Sequence, residues 1–462
     1  MKMRFRLPFF VFVLGVTVLI PGVGARAADD NWPQWRGPLG TGVAPTANPP
    51  TKWGETENVK WKVKLPGHGN STPIVWDQFV FIQTAMPSSE AEAARADAGA
   101  DGAPVLPALL QDRPLPRGGP GGFGGGAAPT EKYQFVLLCL DRGTGKTLWR
   151  KVVREEVPHE GHHRDHGYAS YSPVTDGKLI FAYFGSRGLH CYDMQGTLKW
   201  EKDFGRMQTK MGFGEGSSAA LHGDVLVIDW DHEGDDFIVA LDKTTGKELW
   251  RTPRDEETTW STPLVIEHNG AAQVVVNATR KVRSYDLKTG KQLWEVGGMT
   301  ANAIPSPVAA DGLVYVTSGF RGAALLAIDP GRRGELTGTD AIKWSYSKGT
   351  PYVPSPLLYE GKIYVFSGNN AVLTCFDAKT GKVLIDSKRV EDLEGVYASP
   401  VGAAGRVYMV GRNGTTVVAK NGAPLEVLAS NPLDDRIDAS PAPVGKELFL
   451  RGQQYLYCIA EK

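Results

Sequence analysis

The sequence predicts an all-β fold, an eight-bladed β-propeller with four-stranded antiparallel blades whose ring is closed by the N-terminal strand. A turn motif, Asp-x-x-Thr-Gly-Lys-x-Leu-Trp, recurs along the chain, and a Ser/Thr-Pro pair recurs with it. From Pro173 onward the Ser/Thr-Pro positions fall 41 to 49 residues apart. Repeats of this length with four strands each are typical of propeller blades. The 55 Gly and 31 Pro among 462 residues indicate many turns, which favours short strands over long helices.

The turn motif marks the step from the third to the fourth strand of each blade. Complete copies end at Trp149, Trp250 and Trp294, and a copy one residue shorter ends at Trp200. The copy that begins at Asp377 keeps the turn without the Trp, and the copy at Asp329 carries an insertion before Trp344. The Gly of the motif supplies the positive φ that a tight hairpin requires.

The Ser/Thr-Pro pairs give the number of blades. Ser218 takes the place of the pair at one position, and the others begin at Thr72, Ser172, Thr262, Ser306, Ser355, Ser399 and Ser440. These eight positions predict eight first strands, one for each blade. The chain ends in a third strand, and the segment around Trp61 has the pattern of a fourth strand with no predecessors. We therefore expect this N-terminal strand to complete the last blade, which hides the sheet edges of an open ring.

The remaining segments complete the predicted domain organisation. Residues 1–27 have a basic N-terminal region, an apolar stretch and then small residues typical of a cleavage site. This pattern predicts a cleaved signal peptide and a periplasmic or secreted location. Residues 28–53 form an N-terminal extension, and residues 54–462 form the propeller. Within its first blade, residues 86–132 are rich in Gly, Pro and Ala, which predicts a disordered surface insertion. No later segment predicts a membrane span.

Composition limits the class of partner. The 51 Lys and Arg balance the 51 Asp and Glu, and this argues against nucleic acid as a partner. Each of the four Cys lies two residues before the Asp of a third strand or its equivalent, in four different blades. We expect buried free thiols at these positions, and a monomeric protein.

The repeat resembles the tryptophan-docking motif of the pyrroloquinoline-quinone (PQQ) enzymes, from about Trp61 to the C-terminus. The segment Trp-Pro-Gln-Trp-Arg-Gly-Pro, from Trp32, resembles the start of exported PQQ-like propellers. The resemblance implies the eight-bladed fold, with each repeat Trp packed against the neighbouring blade. It implies two functions: a quinoprotein dehydrogenase that holds PQQ with Ca²⁺, or an envelope assembly scaffold of the BamB type without a cofactor. The chain differs from the quinoprotein dehydrogenases because it has no adjacent Cys residues. It differs from the BamB-type scaffolds because it has no lipid-anchor Cys.

Two loops on one face of the predicted propeller are longer than the rest. From the repeat Trp to the next Pro is usually 12 or 13 residues, but from Trp149 to Pro173 is 24, and from Trp200 to Ala219 is 19. The first loop carries four of the nine His residues together with two carboxylates. Imidazoles beside carboxylates are suited to general base catalysis or to binding metal ions. The catalytic candidates are His163, His166 and Asp165, and the metal candidates are His162, His166, Asp229 and Asp231. A solvated polar loop explains the same residues equally well.

Further polar and aromatic residues are predicted on this face. An Arg at the mouth of the central channel can bind a carboxylate or an acid group of a quinone, and a Trp there offers a stacking surface. The cofactor-binding candidates are His163, Arg187, Arg206, Glu215, Trp230, Asp231, Trp260, Asn277, Asn302 and Arg321. Ordinary salt bridges between blades are the competing interpretation.

The sequence favours an exported propeller that binds a small molecule or an envelope protein on the loop face of blades 2 to 5. A PQQ-dependent dehydrogenase and a BamB-type scaffold are the alternatives, so the sequence leaves open whether the protein is an enzyme. Because loops need no His to fold, we expect substitution of His163, His166 or Arg187 to spare stability and abolish binding.

Overall fold

A computed structural model describes residues 30–91 and 124–461 and confirms the predicted fold. Eight antiparallel four-stranded blades form the ring, and two of them carry one extra parallel strand at an edge. The predicted signal peptide and the middle of the predicted insertion lie outside the described residues. No helix within the described ranges has the length and apolarity to cross a membrane.

Blades 1 to 4 follow one another along the chain. Blade 1 contains β3 (Ile74–Trp76), β4 (Phe79–Pro87), β5 (Tyr133–Asp141) and β6 (Thr147–Glu156). Blade 2 contains β7 (Val174–Thr175), β8 (Leu179–Tyr183), β9 (Leu189–Asp193) and β10 (Leu198–Lys202). Blade 3 contains β11 (Ala220–His222), β12 (Val225–Trp230), β13 (Phe237–Asp242) and β14 (Glu248–Pro253). Blade 4 contains β15 (Leu264–His268), β16 (Ala271–Val276), β17 (Val282–Asp286) and β18 (Gln292–Val296), with β22 (Gly334–Glu335) at its edge.

Blades 5 to 8 complete the ring. Blade 5 contains β19 (Val308–Ala310), β20 (Leu313–Ser318), β21 (Ala324–Ile328) and β23 (Ile342–Tyr346). Blade 6 contains β24 (Leu357–Tyr359), β25 (Lys362–Phe366), β26 (Val372–Asp377) and β27 (Val383–Arg389). Blade 7 contains β28 (Val401–Ala403), β29 (Arg406–Val410), β30 (Thr416–Lys420) and β31 (Val427–Asn431), with β1 (Val43–Ala44) at its inner edge. Blade 8 contains β32 (Ala442–Val444), β33 (Glu447–Arg451) and β34 (Tyr455–Ala460), and its fourth strand is β2 (Val59–Lys64).

The Ser/Thr-Pro positions form a belt of hydrogen bonds around the central channel. In seven of the eight steps, the backbone N–H of a belt residue donates to the hydroxyl of the belt residue in the next blade, at 2.9–3.1 Å. The hydroxyl belt consists of Thr72, Ser172, Ser218, Thr262, Ser306, Ser355, Ser399 and Ser440. The recurrent Ser or Thr therefore ties each first strand to its neighbour and holds the channel wall together.

The repeat Trp residues dock onto the neighbouring blade. The Trp61 indole N–H donates to Arg142 O at 2.9 Å, and its ring packs against Gly145, whose positive φ of 73° favours glycine. Trp149, Trp200, Trp250 and Trp344 repeat this contact with their next blades. Trp294 differs. Its indole N–H donates to Gln273 of its own blade, because the insertion in blade 5 replaces the turn that would receive it.

The N-terminal extension crosses the channel and contacts blades on both sides of the ring. Trp32 pairs with Val75 of blade 1, and the Trp35 indole N–H donates to Ser306 of blade 5 at 3.0 Å. Arg36 donates to the carbonyls of Pro356 and Pro400 in blades 6 and 7 at 2.9 and 2.8 Å. The segment that begins at Trp32 is therefore part of the folded ring.

The described ends of the first-blade insertion are ordered parts of the structure. Residues 86–87 lie in β4, residues 88–91 are helical, and residues 124–132 lead into β5. Gly125 N donates to Met211 O at 2.8 Å, and Gly126 N donates to His162 O at 3.0 Å. The insertion thus returns to its blade across the two long loops. The predicted disorder of its middle stays a prediction, because residues 92–123 lie outside the described part.

The four Cys residues are buried and unpaired, as the sequence predicts. Burial raises the pKa of each thiol, to about 12 for Cys191 and Cys375. We expect thiol titration to find about four free thiols in the unfolded, unreduced protein and almost none in the native protein. Two or fewer thiols after unfolding would contradict this assignment.

Candidate functional site

Loop A (157–173) and loop B (203–219) pack against each other over one end of the channel. His159 Nε2 lies 2.7 Å from Met207 O, and the Glu160 carboxylate accepts hydrogen bonds from the backbone N–H and hydroxyl of Thr209. His163 N donates to Phe213 O at 2.9 Å. The two loops that exceed the repeat length therefore form one structural unit.

Asp165 links loop A to the opposite side of the ring. Its Oδ1 accepts a hydrogen bond at 2.8 Å from each of Arg412 and Arg436, and its Oδ2 accepts one from Tyr397 at 3.2 Å. Both arginines also bind Asp438, and Arg412 stacks on Tyr397 at 3.7 Å. These partners belong to the loops of blades 6 to 8. Loop A therefore spans the mouth of the channel and is fixed there by a charged cluster.

Four residues of this cluster were not among the candidates predicted from the sequence: Tyr397, Arg412, Arg436 and Asp438. No repeat deviation marks them, because each lies in a connection of ordinary length. Their role follows only from Asp165, which lies 247 residues before Arg412 and 271 before Arg436.

The His residues of loop A are held by the loop itself. His162 Nδ1 lies 2.8 Å from His163 O, and His166 Nδ1 lies 2.9 Å from Gly167 O. Burial lowers the pKa of all three His residues, and that of His166 falls to about 4. The three imidazoles are therefore neutral at pH 7. The His163 side chain is 40% exposed, and its Nδ1 lies 3.9 Å from Asp165 Oδ2. His166 contacts His163 through the backbone, where His166 N donates to His163 O at 2.8 Å.

Arg187 and Glu215, both predicted to bind a cofactor, bind each other. Arg187 Nη1 lies 2.7 Å from Glu215 Oε1, and their side chains are 4% and 7% exposed. The second Glu215 oxygen accepts bonds from Tyr171 and Ser186 N, at 3.2 and 2.7 Å. Arg187 also lies over the rings of Phe135 and Tyr168. Each charge in this cluster already has its partner.

The geometry around Arg187 does not fit PQQ. The cavity lined by Arg187 and Glu215 has a volume of about 10 Å³, whereas small-molecule sites occupy about 300–1,000 Å³. The Arg187 guanidinium that would bind a quinone carboxylate is held by Glu215 and Glu156. We therefore derive no chemistry through a quinone at this position.

Asp229 and Asp231 belong to a second buried cluster, in blade 3. Asp231 binds the Arg254 guanidinium with both oxygens, at 2.6 and 2.8 Å, and both side chains are fully buried. Asp229 lies 3.4 Å from Arg254 Nε, and neither of its oxygens has a hydrogen bond among the described residues. Burial and the Asp231 charge raise the pKa of Asp229 well above its usual range. Within the described part of the chain, no group of His, Cys, Asp and Glu has the geometry of a metal site.

The other cofactor candidates are dispersed. Trp230 is buried and stacks on Phe237, while Asn277 donates to the carbonyls of Pro305 and Thr317. Arg206 is exposed, and Arg321 lies over Phe320. Asn302 is buried at a positive φ of 56°, and the Trp260 indole N–H donates to Gly214 O of loop B at 2.8 Å. Arg206 thus lies on loop B, and Trp260 and Trp230 contact it, the latter through Phe204 at 5.6 Å. Asn277, Asn302 and Arg321 lie outside the loop unit.

The buried ion pair changes the expectation for Arg187. We expect Arg187→Ala to lower the free energy of unfolding by about 2–3 kcal/mol, because Glu215 loses its counter-ion while Tyr171 and Ser186 still donate to it. The half-exposed His163→Ala serves as the control, with an expected loss below about 1 kcal/mol. Urea denaturation measures both. Equal stability of the two variants would contradict a structural role for the pair.

Comparison with known proteins places the repeat in a family. A family model described as outer membrane protein assembly factor BamB matches residues 133–211 and 203–425. The chain belongs to this PQQ-like propeller family. No curated protein sequence matches it.

Three solved structures are similar to this chain. BamB from Moraxella catarrhalis is 12% identical, with a TM-score of 0.49 over 72% of this chain and 95% of that one. The computationally designed Ika8 protein is 13% identical, with a TM-score of 0.45 over 70% and 90%. A europium-containing methanol dehydrogenase is 12% identical, with a TM-score of 0.45 over 91% and 89%. At these identities and TM-scores the similarity carries no statement about function, and the fold rests on the strand topology.

Proposed function

We propose that this PQQ-like propeller is an exported scaffold that binds an envelope protein through the face formed by loops A and B. The observation that carries the proposal is the exposed tip of loop B. Met211 is 57% exposed there, although most large apolar side chains are buried. It lies beside Phe213, whose ring is 5.7 Å from His163 and 6.4 Å from Trp260. We call these four residues the Met211 patch.

The backbone supports a functional role for the patch. Met211 has a positive φ of 53°, a conformation that costs energy in residues other than glycine and is enriched at functional sites. It is held there by contacts of its neighbours, since Gly212 N donates to Thr209 O and Phe213 N donates to Lys210 O. The fold therefore places an apolar side chain in solvent at the end of an ordered loop. Met and aromatic residues are enriched at protein interfaces.

The surroundings of the patch suggest the chemistry of the partner. Arg164 is 83% exposed on loop A, and Arg206 is exposed on loop B. A segment with an apolar side chain flanked by carboxylates would complement this face. The description of the family model, an outer membrane protein assembly factor, agrees with a protein partner in the envelope. The dehydrogenase alternative gains no support from the filled space around Arg187.

Site-specific photocross-linking tests the proposal. A photoreactive amino acid replaces Met211 in the exported protein, and a second variant carries it at the exposed Lys288 on the opposite face. We expect one discrete cross-linked envelope protein from position 211 and none from position 288. Equal products from both positions, or none from position 211, would contradict a docking role.

A matched pair of substitutions gives the affinity. Once the cross-linked protein is purified, we expect Met211→Glu to weaken its binding by at least tenfold, because a charge replaces a buried apolar contact. Leu249→Glu is the control, since Leu249 is 51% exposed on β14 away from the loops. Equal loss of binding in both variants would contradict the assignment to the Met211 patch.

A further inference from the structure

The hydroxyl belt is incomplete where the ring closes. Seven belt hydrogen bonds run from Thr72 to Ser440, and the step from blade 8 back to blade 1 is the remaining one. The Thr72 hydroxyl is buried there and has no hydrogen-bond partner among the described residues. In the other seven steps the hydroxyl accepts, so the bond absent here is the one from Ser440 N–H to Thr72 Oγ1. Because buried hydroxyls are almost always bonded, a partner for the Thr72 hydroxyl is missing at this seam.

A buried guanidinium lies at the same seam. Arg451 ends β33, is 2% exposed, and donates through Nη1 to both oxygens of Ser71, the residue before Thr72. Its Nε has no partner, and no carboxylate of the described residues forms an ion pair with it. Burial lowers the pKa of Arg451 to about 9. An ion buried without a counter-ion is costly, so this position calls for a negative charge.

The neighbouring side chains include two imidazoles that are neutral at pH 7 and can donate hydrogen bonds, because burial lowers the pKa of each. The charges of Arg451 and of His162 both lower the pKa of His68, after the larger effect of burial, so the two imidazoles and the guanidinium lie near one another. A second buried arginine, Arg36, reaches the belt from the N-terminal extension at Pro356 and Pro400. Its Nε and Nη1 also have no partner among the described residues. The channel therefore carries two uncompensated positive charges beside the belt.

We propose that the seam between blades 8 and 1 is a binding site for an oxyanion, a phosphate, sulfate or carboxylate group. Arg451 Nε and the Thr72 hydroxyl are its donors. A guanidinium binds such groups through paired N–H donors, and charge-assisted bonds of this kind are the strong ones. The site is separate from the Met211 patch, so the two proposals can fail independently.

Calorimetric titration with inorganic phosphate, at constant ionic strength in chloride, tests the site. We expect saturable binding of one phosphate per chain. Thr72→Val keeps the shape of the side chain and removes the donor, and we expect it to weaken binding about 10-fold or more. Arg451→Met removes the charge and should abolish binding. Arg332→Met, at a half-exposed arginine of the blade 5 insertion, should leave it unchanged.

The behaviour without phosphate separates binding from a purely structural role. An uncompensated charge replaced by Met is expected to leave the Tm of the phosphate-free protein equal or higher. If Arg451 had a purely structural role, Arg451→Met would instead lower the Tm, and by the same amount in phosphate and in chloride.

Selenate soaked into wild-type crystals gives a readout that needs no variant. An anomalous peak within hydrogen-bond distance of Arg451 Nε and Thr72 Oγ1 supports the site. Absence of that peak, with no saturable phosphate binding, would overturn it.

Discussion

Deletion of residues 54–66 is expected to abolish cooperative unfolding of the propeller and to cause aggregation. The deletion removes β2, the fourth strand of blade 8, and exposes the edge of β34. It also removes Trp61, which bridges to blade 1 through Arg142. Truncation of a packed Trp alone costs about 3–5 kcal/mol, a large share of a total stability of about 5–15 kcal/mol. Differential scanning calorimetry and light scattering measure the outcome.

A Trp away from the seam is the control for this deletion. Trp344→Ala removes the same type of docking contact between blades 5 and 6 but leaves every strand in place. We expect this variant to melt at a lower temperature while remaining folded and monodisperse. Unchanged melting of the deletion variant would show that β2 does not close the ring.

Asp231→Ala is expected to lower the free energy of unfolding by about 3–5 kcal/mol. The substitution leaves the Arg254 guanidinium buried without its bidentate partner, which is the most costly way to break an ion pair. Asp224→Ala is the matched control. Its carboxylate is 84% exposed beside Lys243, and such surface pairs contribute about 0–1 kcal/mol. Urea denaturation of both variants measures the difference, and a loss below 1 kcal/mol for Asp231→Ala would point to a ligand-binding role instead.

The fold is predictable because its determinants are local and repeated. The belt hydroxyl recurs in all eight blades, and the turn Gly and the repeat Trp recur in most of them, so the pattern is recognisable even where one copy departs from it. Trp294 shows the limit of this reasoning. It matches the motif, yet it turns to Gln273 of its own blade, because blade 5 lacks the receiving turn. A repeat predicts the contact only where both partners of the contact are present.

The contact between loops A and B was predictable from their lengths, whereas their role as a binding site stays a prediction. The lengths of loops A and B locate the mouth of the channel, and the structure joins these loops there. Their charged residues gave no indication of their partners. Arg187 and Glu215 were candidates for one ligand, and they neutralise each other. Asp165 was a catalytic candidate, and it binds two arginines from the far side of the ring. Pairings over such sequence distances leave no pattern in a single chain.

Titration of the purified protein with PQQ and Ca²⁺, followed by absorbance and by dye reduction with alcohols, tests whether the mouth of the channel is a closed docking surface. We propose that the Arg187–Glu215 pair and the Asp165 cluster hold it closed. We therefore expect no saturable change in the quinone spectrum and no turnover. Stoichiometric binding of PQQ with substrate-dependent dye reduction would contradict it.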